Sequence, residues 1–102
     1  HPSAAKAWAY VTMAGSTPTL AESYNITSII DVGVGDLTIT IATDFSSSGW
    51  SGSVVTRGTV VTNRISSIAS QASGSVSLWC NVANTGAASD PAAWNFQAFG
   101  DQ

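Results

Sequence analysis

Apolar and polar side chains alternate with a period of two along nearly the whole chain, the repeat of strands that bury one face. Leu37, Ile39 and Ile41 interleave with Thr38, Thr40 and Ala42. Val76, Leu78, Cys80 and Val82 interleave with Ser75, Ser77, Trp79 and Asn81. Trp94, Phe96 and Ala98 interleave with Asn95, Gln97 and Phe99. In residues 6–13, Lys6, Trp8, Tyr10 and Thr12 share one face, and Ala7, Ala9, Val11 and Met13 share the other. Residues 23–31, 50–57 and 59–66 add further strands rich in β-branched residues.

Breaks fall between these runs. Gly15 to Pro18 ends the first strand, because proline cannot donate to a ladder. Asp31 to Asp36, with two glycines, is a hairpin turn. Asp44–Gly49, Ala69–Gly74 and Asn84–Pro91 are small, polar loops. Ile65 to Ala72 is the one stretch with room for a short helical turn. About seven strands at roughly 8–14-residue spacing predict an all-β, antiparallel β-sandwich, jelly-roll-like, with one domain over residues 1–102.

Composition narrows the function. Only 9% of residues are charged, against about 25% in typical soluble domains. Three basic residues cannot neutralise a run of phosphates, which excludes charge-driven nucleic-acid binding. The aromatic and β-branched content argues against disorder. The single cysteine, Cys80, excludes an internal disulfide. No apolar run reaches the length of a membrane-spanning helix, so membrane insertion by a helix is not expected. A low-charge surface coated with Ser and Thr predicts a chain packed against copies of itself. The start at His1, without Met, reads as a domain from a longer protein.

Candidate chemistry is sparse, and no catalytic residues, metal or cofactor are assigned. His1 is the only histidine, and copper sites built on an N-terminal histidine need a second one. Cys80 sits on an aliphatic strand face as a small hydrophobe. Asp31 and Asp36 flank a turn, where aspartate bonds its own backbone. Asn25-Ile26-Thr27 matches a glycosylation acceptor triplet, with no other feature in support.

The four tryptophans carry more information. Trp94 shares the Phe96 face and belongs to the core. Trp8, with Tyr10, and Trp79 lie on the second faces of their strands, which makes them candidates for a subunit interface. Trp50, beside a Ser/Gly loop, joins Arg57, Asn63 and Arg64 of an expected 57–64 hairpin as candidate receptor contacts.

HPSAAKAW (residues 1–8), SYNITSIIDVGVGDLTITIATDFSS (residues 23–47) and AFGDQ (residues 98–102) together resemble a C-terminal module of tailed-bacteriophage and prophage tail fibres. The match covers both ends and the middle of the chain in the family's order and spacing. The chain departs from that pattern at Val32-Gly33-Val34-Gly35, where an Asn-Gly type of turn is common, and at Trp50, where tyrosine is common. The resemblance implies a virion structural protein without enzymatic activity, a homotrimer at the host-facing end of a longer fibre. Its implied partners are its own copies, virion proteins upstream in the fibre and a bacterial surface glycan or protein receptor. A capsid fibre or spike domain is the alternative within that class. A carbohydrate-binding module of a secreted protein is the alternative outside it, because exposed tryptophan stacks on sugar rings.

Overall fold

The computed structural model describes residues 4–58 and 63–102. Among them are eight strands and no helix: β1 (Ala7–Ala14), β2 (Thr17–Tyr24), β3 (Ile26–Gly33), β4 (Asp36–Ile41), β5 (Ser51–Arg57), β6 (Arg64–Ala72), β7 (Ser75–Val82) and β8 (Ala93–Phe99). They form two antiparallel four-stranded sheets, ordered β2-β1-β8-β5 and β3-β4-β7-β6. The sheets pack face to face as a β-sandwich.

The period-two strands account for the core. Ala7, Ala9 and Val11 of β1 and Trp94, Phe96 and Ala98 of β8 meet Leu37, Ile39 and Ile41 of β4 and Val76, Leu78 and Cys80 of β7. All these side chains are buried, and each fully buried leucine, valine or isoleucine contributes roughly 1.5–3 kcal/mol.

Several sequence expectations need correction. The eighth strand is β2. The turn lies at Gly15 and Ser16, and Pro18 continues into β2. That strand is an edge, paired only with β1, which is where a strand tolerates proline. The expected strand 23–31 breaks at Asn25, which adopts a left-handed φ of 59°. This residue carries the chain from β2 in one sheet to β3 in the other. Residues 69–72, expected in a loop or a helical turn, complete β6 across a bulge between Ile68 and Ser70. The expected strand 59–66 falls partly outside the described residues, and its remainder opens β6.

Strands β5 and β6, which flank the expected 57–64 hairpin, do not pair with each other, because they belong to different sheets; residues 59–62 of that expectation lie outside the described residues. Nor is the order that of a jelly roll. Going round the sandwich, the strands run β1-β2-β3-β4-β7-β6-β5-β8, with β2 against β3 and β5 against β6 at the two edges. The first four strands are a simple meander. Only β5–β8 has Greek-key order, whereas a jelly roll nests two Greek keys.

Antiparallel pairing gives the molecule two distinct ends. Lys6 donates its backbone N–H to Ala98 O, and Ser46 donates to Asp101 O, so both described chain termini lie at one end. The β1–β2 turn, the β3–β4 turn and loop 83–92 lie at the other.

Candidate functional site

The outer face of the β2-β1-β8-β5 sheet is aromatic and amide-rich. Trp8 stands between Tyr24 on β2 and Gln97 on β8. Tyr10 stands between Glu22 and Asn95, and Val55 continues that row on β5. Trp8, Tyr24 and Val55 are exposed and Tyr10 is half-buried. Charges lie towards the margins of this face, at Lys6, Glu22 and Arg57.

Trp79 lies on the opposite side of the molecule. It occupies the outer face of β7, directly between Asp36 on β4 and Ser67 on β6, and the residue is 51% exposed. The three residues expected at a subunit interface therefore divide. Trp8 and Tyr10 share one face of the sandwich, and Trp79 belongs to the other.

The expected receptor set also divides. Trp50 is buried, at 5% exposure. Its ring stacks on Phe45 at 5.1 Å between centroids and meets Phe96 edge-on at 6.0 Å. Its indole Nε1 donates to Ala72 O at 2.8 Å. Trp50 is thus a core residue at the end holding the chain termini, and its expected role as a surface contact is corrected. The pattern missed this because Trp50 precedes its strand, where parity gives no face. Arg57 is exposed on the outer face of β5. Asn63 is exposed, and its carbonyl accepts from Ala83 N at 3.1 Å. Arg64 pairs with Val82 in the inward-facing register and is half-buried, so the two arginines serve different surfaces.

Beside Trp79 is a depression of about 300 Å³, lined by Val34, Gly35, Asp36, Trp79, Asn81 and Ala88. Its walls are cross-linked by backbone. Cys80 N donates to Gly35 O, Ser89 N to Cys80 O and Val82 N to Ala87 O. Gly35 N donates to the Asp90 carboxylate at 2.8 Å, which ties the β3–β4 turn to loop 83–92. Asn81 Nδ2 donates to Gly86 O at 3.1 Å, which fixes the carboxamide within the wall. Gly35 itself has φ +66°, and a Cβ there would collide with the Cys80 carbonyl oxygen. One signal of this site was present in the sequence: Trp79 and Asn81, two apart, share a strand face. Their neighbours Val34, Asp36 and Ala88 arrive through long-range pairing and were not legible.

Other candidate chemistry is structural. Burial raises the Cys80 thiol above its ordinary range, which disfavours the nucleophilic thiolate. Asn25 uses its side chain as a corner brace, with Nδ2 donating to Lys6 O and Oδ1 accepting from Thr43 N. His1 lies outside the described residues. Among the described residues no three His, Cys, Asp or Glu side chains group to hold a metal ion. No protein-family model, curated protein or solved structure matches the chain.

Proposed function

We propose that this chain is a self-assembling, host-facing domain of a bacteriophage tail fibre, three copies of which pack through the outer face of the β2-β1-β8-β5 sheet. The observation that carries this reading is the patch made by exposed Tyr24 and Trp8 with half-buried Tyr10, extended beyond Asn95 by exposed Val55, with the charges of Lys6, Glu22 and Arg57 towards its margins. Contiguous apolar surface of this kind marks association sites, and aromatic side chains dominate their energetics. Three copies follow from the resemblance to tail fibres carried by residues 1–8, 23–47 and 98–102. Such a ring closes when the rotation relating neighbours is threefold.

The placement of the ends supports the attachment half of the reading. The described termini share one end of the sandwich, and loop 83–92 and the β3–β4 turn occupy the other. A shaft joined at the start of the chain leaves that second end free to meet a bacterial surface.

Sedimentation equilibrium of the isolated chain tests the proposal. A mass three times that of the single chain is expected, falling to the monomer when Trp8→Ala and Tyr10→Ser are combined. A wild-type monomer or dimer at micromolar concentration overturns the trimer. A trimer unchanged by the double substitution overturns the assigned face. The isolated domain, added in excess, should also compete with phage for adsorption to susceptible cells, and absence of competition overturns the attachment role.

A further inference from the structure

We propose that the depression at Trp79 is a preformed subsite for an uncharged, N-acetylated pyranose. The inference rests on the reading above for the source of the sugar, a bacterial surface, and on the site itself for the chemistry. The depression, about 300 Å³, lies at the lower bound of small-molecule sites, a size suited to a single sugar ring. The half-exposed Trp79 indole offers a flat apolar surface to the C–H face of such a ring.

The polar groups decide what the ligand must bring. Asp36, directly across from Trp79, is a carboxylate and accepts only. Asn81 has committed one Nδ2 hydrogen to Gly86 O, which leaves it a second N–H to donate and Oδ1 to accept. Asp36 therefore calls for a donor, which a sugar hydroxyl supplies, and Asn81 for a donor and an acceptor side by side, which the N–H and C=O of an acetamido group supply. The acetamido methyl has an apolar wall in Val34 and Ala88. An acidic sugar would meet the Asp36 charge. A second copy of the chain lying dry over Trp79 would bury the Asp36 carboxylate at a net cost unless it supplied a cation, whereas a sugar leaves the rim wet. Because the wall is already held by hydrogen bonds from Cys80, Val82, Ser89 and Gly35, little ordering is needed on binding.

The test is a titration of the intact chain, in its native oligomeric state, followed by tryptophan fluorescence and saturation-transfer NMR. The probes are N-acetylglucosamine, N-acetylgalactosamine, glucose and tetramethylammonium. At least one acetamido sugar should saturate with a Kd on the order of 1 mM, the value expected of a ligand this small. Glucose should bind at least threefold more weakly. Trp79→Ala and, independently, Asp36→Asn should each weaken the acetamido sugar at least tenfold while leaving the urea midpoint of unfolding within error. The absence of saturable binding by both acetamido sugars overturns the proposal. So does binding that survives both substitutions, equal binding of glucose, or preferential binding of tetramethylammonium, which would make this a cation site. Dissociation of the oligomer by Trp79→Ala also overturns it, by making Trp79 a subunit contact. A wild-type monomer that binds the sugar refutes the assembly reading and leaves this one standing.

Discussion

Asn25 provides the sharpest test of how the two sheets are joined. It connects β2 to β3 at the sandwich edge with φ 59°, a conformation most residues avoid. Its side chain makes three hydrogen bonds: Nδ2 to Lys6 O at 3.0 Å, Nδ2 to Thr43 O at 3.3 Å, and Oδ1 from Thr43 N at 2.8 Å. These tie the segment entering β1 and the segment leaving β4 to one corner. Asn25→Ala removes all three. The two shorter bonds are worth about 1 kcal/mol each in net terms, and the exposed 3.3 Å bond adds little. Alanine in the left-handed region costs about 1 kcal/mol more. The expected loss is therefore about 3 kcal/mol, a large share of the stability of a domain this size. Asn25→Gly forfeits the same bonds but is spared the backbone strain, so it should lose about 1 kcal/mol less. Urea unfolding at fixed chain concentration, followed by tryptophan fluorescence, measures both. With an m-value of roughly 1 kcal/mol/M, the alanine midpoint should fall by about 3 M and the glycine midpoint by about 2 M, with m unchanged. A loss below about 1 kcal/mol for alanine, or equal losses for the two variants, would refute this account of the corner. A glycan on the Asn25-Ile26-Thr27 triplet would replace one of the two Nδ2 hydrogens, so a glycosylated chain should lose one of the two bonds that Nδ2 donates and keep the one that Oδ1 accepts.

Trp50→Ala should cost about 3–5 kcal/mol, read as a fall in melting temperature, because it empties a core position stacked on Phe45; a change within about 1 kcal/mol would refute the core assignment. Gly35→Ala should cost about 3 kcal/mol in urea unfolding, since it combines a left-handed φ with a collision against the Cys80 carbonyl; wild-type stability would mean that the β3–β4 turn relaxes freely away from β7. Burial raises the folded-state pKa of the Cys80 thiol, so its contribution to stability is complete below the unfolded value and is lost as pH rises through the folded one. Above about pH 9 the wild type should therefore lose stability more steeply than Cys80→Ala, and parallel profiles for the two would refute the linkage.

The in-or-out alternation of each strand was legible because a strand has only two faces, and burying one imposes the period directly. Leu37, Ile39 and Ile41, or Val76, Leu78 and Cys80, could therefore be assigned to the interior without knowing what lay opposite them. What alternation does not encode is the neighbour. Arg57 and Arg64 are close in sequence and looked like two arms of one hairpin, yet the chain crosses between sheets in the interval. Pro18 looked like an end because its local chemistry forbids a central strand, and nothing local says that β2 is an edge. Asn25 hid inside an apparent strand because a single left-handed residue leaves the surrounding period almost undisturbed. The same limit governs the functional surface. By pattern alone Trp8 and Trp79 are equivalent, each a tryptophan on the outward half of an alternating strand. Strand order separates them, placing one on each side of the molecule. Their neighbours then differ in kind. Trp8 is flanked directly by Tyr24 and Gln97 on an open sheet, and the charges of this face, Lys6, Glu22 and Arg57, lie towards its margins, where a covering copy can leave them wet. Trp79 stands beside the Asp36 carboxylate at the rim of a hollow, where a dry protein contact would strand one. The assignment of assembly to one face and ligand binding to the other thus turns on what stands directly beside each tryptophan: Tyr24 and Gln97 for Trp8, and for Trp79 the Asp36 carboxylate that the β4–β7 register brings to it.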